Sequence, residues 1–104
     1  MISNLLLTND TTSDQLDTFF TDTWRKKERV KLVIDATKCS NISLKRVVSI
    51  KGVLNKHREN SRANIEFTVI FVKSDFVKNI IRMGLFMIKT ERPVYVEKLK
   101  IINK

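Results

Sequence analysis

The apolar residues of this chain fall in a regular order, short strand-like runs alternating with longer stretches in which they recur every third or fourth residue. That alternation restricts the fold more than any other feature. Ile2 to Leu7, Val30 to Asp35, Ile65 to Val72 and Val94 to Val96 have strand character, and a helix-length amphipathic stretch separates each from the next. Strands so separated cannot pair as hairpins. Each must cross over, and crossovers of one hand lead to a parallel arrangement. The expectation is an α/β fold, one domain over residues 1–104, ordered β-α-β-α-β-α-β, with a mostly parallel four-stranded sheet packed by three helices.

Local signals place the helix ends. Thr12-Ser13-Asp14-Gln15 has the spacing of a capping box, and Leu16, Phe19, Phe20 and Trp24 follow on one helical face. The nearly continuous run Val30-Lys31-Leu32-Val33-Ile34 predicts an interior strand covered on both sides. A second helix is expected from about Ser43 to about Glu59, with Gly52 weakening its centre. In Ile65 to Val72, Ile65, Phe67, Val69 and Phe71 read as one face, with Ile70 and Val72 on the other. Ser74 can cap a third helix, and Gly84-Leu85 has the form of a helix stop, so that helix is expected to end near Met83. Pro93 opens the last strand, which extends toward Ile101.

Charge narrows the classes of function. The net +9 is unevenly placed: residues 1–24 carry −4, residues 25–62 carry +9 and residues 63–104 carry +4. A basic middle third attracts phosphates, acidic proteins or anionic membrane. No apolar stretch approaches the ~20 residues of a membrane span, the N-terminus does not read as a leader, and Cys39 is the only cysteine. A cytoplasmic protein is expected, with no internal disulfide.

No catalytic constellation emerges. Phosphate-cradling loops need closely spaced glycines, and only Gly52 and Gly84 exist. With His57 and Cys39 as the sole residues of their kinds, a structural zinc is not expected, nor any other metal or cofactor. His57, between Lys56 and Arg58, reads as an exposed helix residue. Cys39, beside Lys38 in a polar loop, reads either as an incidental cysteine or as a thiol of lowered pKa. Asp35 and Asp75 fall at the carboxyl ends of two strands, where open α/β sheets bind ligands, but turn building and helix-dipole compensation explain them equally. An anion-binding alternative rests on Arg25, Lys26, Lys27, Lys51, Lys56 and Arg58, and would recognise nucleic-acid phosphate or anionic lipid. Base recognition has no support, because most aromatics fall at core positions.

Val33-Ile34-Asp35-Ala36-Thr37, the helix entry Ser40-Asn41-Ile42-Ser43-Leu44, Phe71-Val72-Lys73-Ser74, Gly84-Leu85 and Val94-Tyr95-Val96 together resemble the STAS domain family, the sulfate-transporter and anti-sigma-factor-antagonist fold. The likeness spans roughly residues 5–96. It implies a non-enzymatic protein-interaction module whose protein partner docks on Lys38, Ser40, Asn41, Ser43, Lys45 and Arg46. Bacterial members carry Asp-Ser-Ser-Gly or Asp-Ser-Thr-Gly at the second helix entry, where a partner kinase phosphorylates the hydroxyl. This chain has neither that Asp nor that Gly. Ser40 and Ser43 are the only hydroxyls positioned to substitute, and Ser43 is the better placed of the two, because its hydroxyl would sit at a helix N-terminus. The lipid-binding CRAL-TRIO fold shares the strand-helix order, but the chain is too short for its lid and deep pocket.

Overall fold

The computed structural model describes residues 1–40, 43–88 and 92–99, with Leu44 and residues 85–88 described by backbone alone. The elements are β1 (Ile2–Thr8), α1 (Ser13–Arg25), β2 (Val30–Lys38), α2 (Leu44–Lys56), α3 (Arg58–Asn64), β3 (Ile65–Val72), α4 (Asp75–Ile88) and β4 (Val94–Lys98). The four strands form one sheet in the order β1-β2-β3-β4, and every neighbouring pair is parallel. The sheet is thus wholly rather than mostly parallel. Four helices, not three, are described, because the expected second helix breaks at His57 into α2 and α3.

Strand order decides which side is covered. When each strand lies next to its predecessor and crossovers keep one hand, every long helix falls on the same face. Accordingly α1 packs beside α2, and α2 beside α4. Leu7, Leu32, Ala36, Ile70 and Val72 of the sheet meet Leu16, Phe20, Val47, Val53 and Val77 of the helices in the core. β2 is interior, as expected, but among the described residues its apolar run is covered on one face only: Leu32 is buried while Val33 remains half-exposed and outside the core.

A register shift corrects one further expectation. Val30 pairs with Ile65 and Lys31 with Phe67, so Glu66 is an extra residue in β3. This bulge turns Ile65 into the core, where it is buried, while Phe67, Val69 and Phe71 stay on the opposite face.

The helix starts follow the sequence closely. Thr12 and Gln15 form the capping box, the Thr12 hydroxyl accepting from the Gln15 amide at 3.2 Å and the Gln15 side chain accepting from the Thr12 amide at 2.9 Å. Ser74 accepts from the Val77 amide at 3.2 Å at the start of α4. The end of α4 does not follow: the helix passes through Gly84 and reaches Ile88. Gly84 has no positive φ, and a Cβ there would lie 2.4 Å from Val47 Cγ1. Glycine is present so that α4 can cross α2 closely, not to stop a helix. Below that crossing is an apolar cavity of about 100 Å³, bounded by Leu5, Leu16, Phe20, Ile34, Ile70 and Gly84 among others. The Leu85 side chain and the expected extension toward Ile101 lie outside what is described. Among the described residues, no helix is long and apolar enough to cross a membrane.

Candidate functional site

In a wholly parallel sheet all strands deliver their following loops to one rim, and that rim is where ligands of open α/β sheets bind. Here it is built from the β1–α1 loop, the end of β2, the start of α2 and the β3–α4 junction.

Most polar groups on this rim bond to the protein's own loops. Arg46 reaches back from α2, its Nη2 donating to the carbonyls of Thr8 and Thr11, the latter at 3.0 Å. Asn9 clasps Ser40 twice, donating to its hydroxyl at 2.9 Å and accepting from its amide at 3.2 Å. Ser13 and Ser49 share a hydrogen bond of 2.6 Å that ties α1 to α2. Arg46, expected at a docking surface, therefore serves as a loop strut. Lys38, Ser40, Ser43 and Lys45 are exposed. Ser43 caps α2, its hydroxyl accepting from the Arg46 amide at 3.2 Å. Asn41 lies outside the described residues.

The two rim carboxylates have separate partners. Asp35 Oδ1 accepts from the Thr37 hydroxyl at 2.5 Å and from the Thr37 amide at 2.9 Å, and these bonds hold its carboxyl below the usual range. Asp75 accepts from Lys98 Nζ at 3.2 Å. Asp35 is a turn former and Asp75 a partner of β4. Among the described residues, no three His, Cys, Asp or Glu side chains gather as metal ligands would.

Cys39 lies in the connection between β2 and α2, as expected, but its side chain is buried. It is 1% exposed, and its thiol donates to the Leu7 carbonyl at 3.3 Å. Burial pushes its pKa up, outweighing the opposing effect of Arg46, so the thiolate that would react is disfavoured at neutral pH. A thiol reagent such as dithiobis-nitrobenzoate should label native protein at least ~100-fold more slowly than urea-unfolded protein, since labelling needs an opening of the structure. Equal rates would show the thiol to be accessible.

The basic residues separate into two groups. α1 and α2 run from the rim to the opposite edge of the sheet, where the Trp24–His57 bond joins their ends, so Arg25, Lys26, Lys27, Lys56 and Arg58 all lie toward that edge while Lys51 stays mid-helix. Several charges there are met locally: Arg25 lies 3.5 Å from Asp22, Lys56 lies 2.7 Å from Asp17, and Arg58 donates to Asn55 at 2.9 Å. Lys26 and Lys27 are exposed, and Lys27 makes the turn into β2 with φ of 52°.

His57 is the residue the sequence misplaces most. It is 5% exposed rather than solvated, and it links two side chains of α1. The Trp24 indole donates to Nδ1 at 3.0 Å, and Nε2 lies 2.6 Å from Asp17 Oδ1. An indole N–H can only donate, so Nδ1 accepts and the proton on Nε2 goes to Asp17. The Phe20 ring completes the setting, 5.5 Å away centre to centre. Asp17 and Trp24, two turns apart on α1, were the only clue in the sequence.

Comparison with known proteins gives no match to a family model, to a curated protein or to a solved structure.

Proposed function

We propose that this chain is a non-enzymatic protein-interaction module of STAS type whose partner docks where β2 ends and α2 begins. One observation carries the reading: Arg46 and Asn9 tie the β1–α1 loop to α2 and to Ser40, while Lys38, Ser40, Ser43 and Lys45 stand exposed around that junction. Two lysines among hydroxyls favour a partner with carboxylates on its docking face. A phosphate on Ser43 would sit at the first turn of α2 and reverse the local charge, which makes Ser43 the modification point of such a module. The setting for this role is the cytoplasm.

Affinity purification from the native cell, wild type beside the double variant Lys38→Glu and Lys45→Glu, tests the reading. The wild type should recover a defined partner and the variant should lose it by at least ~10-fold. A partner retained equally by both excludes this surface.

A second reading is supported by the convergence of Arg25, Lys26, Lys27, Lys56 and Arg58 at the edge opposite the rim. That edge would bind a phosphate-bearing polyanion, nucleic acid or anionic lipid. Binding should then fall steeply as salt rises from about 50 mM.

A further inference from the structure

Among the described residues, no helix covers one face of the sheet, and apolar side chains make up most of that face. The strand pairing arranges its residues in rows across the sheet. The row nearest the strand starts is Ile2, Lys31, Phe67; the middle row is Asn4, Val33, Val69, Tyr95; the row nearest the rim is Leu6, Asp35, Phe71, Glu97. Ile2, Leu6 and Tyr95 are 62%, 55% and 53% exposed. The rings of Phe67 and Tyr95 meet edge to face at 6.4 Å, already aligned along the surface. A contiguous apolar patch of this kind marks an interaction surface.

The charges within it indicate what covers it. Lys31 stands in the first row and Asp35 in the last, both on β2, with Val33 midway between them. A two-fold axis lying in the interface, perpendicular to the strands and passing over the middle row, reverses strand direction and lays each strand over its own copy. Lys31 then meets Asp35 of the second copy, and Asp35 meets its Lys31. Ile2 falls on Leu6, Phe67 on Phe71, and Val33 and Val69 each fall on themselves. Asp35 gives only Oδ1 to Thr37, which leaves Oδ2 for the incoming lysine. Lys31 has no ion-pair partner among the described residues. Glu97, on the outermost strand, stays at the solvated margin. An axis parallel to the strands would instead set Lys31 on Phe67 and Asp35 on Phe71, burying charges without partners.

We infer that the open face is the interface of a two-fold homodimer, two sheets packed face to face with strands antiparallel between copies. Aligned sheet packing of this type sets the layers about 10 Å apart and rotates them by about 30°, which the side chains of the middle row can fill. The interface is isologous, as a two-fold requires. It takes Asp35 from the rim but none of Lys38, Ser40, Ser43 and Lys45, and nothing from the basic edge, so it stands apart from the docking reading above.

Sedimentation velocity of the full chain from about 1 to about 200 µM should show a concentration-dependent shift from monomer to dimer. Lys31→Glu and Asp35→Lys should each weaken association at least ~10-fold, and the double charge swap should restore it. Val33→Cys should form a covalent dimer on mild oxidation, because the two copies of residue 33 face each other across the axis; adding Lys31→Glu should suppress it. If Asp35→Lys fails to fold, having lost its bonds to Thr37, the cysteine pair decides alone. A wild type that stays monomeric throughout, a dimer indifferent to both charge reversals, or capture of a different protein on this face by a chain that does not self-associate would overturn the inference.

Discussion

Replacing His57 by alanine should destabilise the protein by about 2–4 kcal/mol, the combined effect of an emptied aromatic-sized site and a broken hydrogen-bond relay. The ring packs against Phe20 and Trp24, which stack on each other, and both its nitrogens are in use. Removing it leaves the Trp24 N–H facing a void and unlocks the point where α2 turns into α3. For a chain of this size the change corresponds to a fall of roughly 10–25 °C in Tm. Trp24 is the only tryptophan, so its fluorescence reports the site directly. Thermal unfolding followed by that signal checks the effect. A loss under about 1 kcal/mol would mean the relay is not structural.

The same relay gives the protein an acid limb. Hydrogen bonds from Lys56 first and His57 second hold the Asp17 carboxyl below its ordinary value. The stabilisation they bring is complete above the unfolded pKa and disappears as pH falls through the lower, folded value, so the loss lies below about pH 4. Asp17→Asn should flatten the decline of Tm in that window. An unchanged slope would place the acid sensitivity elsewhere.

Alanine at the two glycines should act in opposite directions. Gly52 lies exposed inside α2 with nothing within 4 Å of an added Cβ, so Gly52→Ala should stabilise by about 1 kcal/mol through helix propensity. Gly84→Ala drives a methyl into Val47 Cγ1 and should destabilise by about 1–3 kcal/mol despite the same propensity gain. Val47 is β-branched and its χ1 is stiff, which makes the contact hard to relieve by rotation. Combining Gly84→Ala with Val47→Ala should therefore cost clearly less than the two changes added together, and urea unfolding of the four proteins measures that coupling. Full additivity would rule out the contact as the cause.

The elements that could be read from sequence are those fixed by local chemistry. The Thr12 box, the Ser74 cap, the start of α2 at about Ser43 and the β3 boundaries depend on nearest neighbours, and each stands where the residues placed it. Gly84 misleads because a glycine-leucine pair looks alike whether the glycine ends a helix or lets another helix approach. Cys39 and His57 mislead because their polar neighbours in sequence point outward while they point inward. The open face could not be read at all: an apolar strand run does not say whether a helix lies on one side or both, and strand order alone decides it. At the rim, sequence placed Ser43 and Lys45 correctly at the surface, but the strut role of Arg46 depends on carbonyls of Thr8 and Thr11, far away along the chain.

A sheet laid down in chain order has a consequence for synthesis. Each new strand finds its neighbour already formed, so a chain leaving the ribosome from its N-terminus can complete one layer before the next emerges. Nothing made early has to wait for a late segment to be threaded between existing strands. Such wiring favours brief exposure of sticky intermediates, since every pairing closes over the shortest loop this architecture permits.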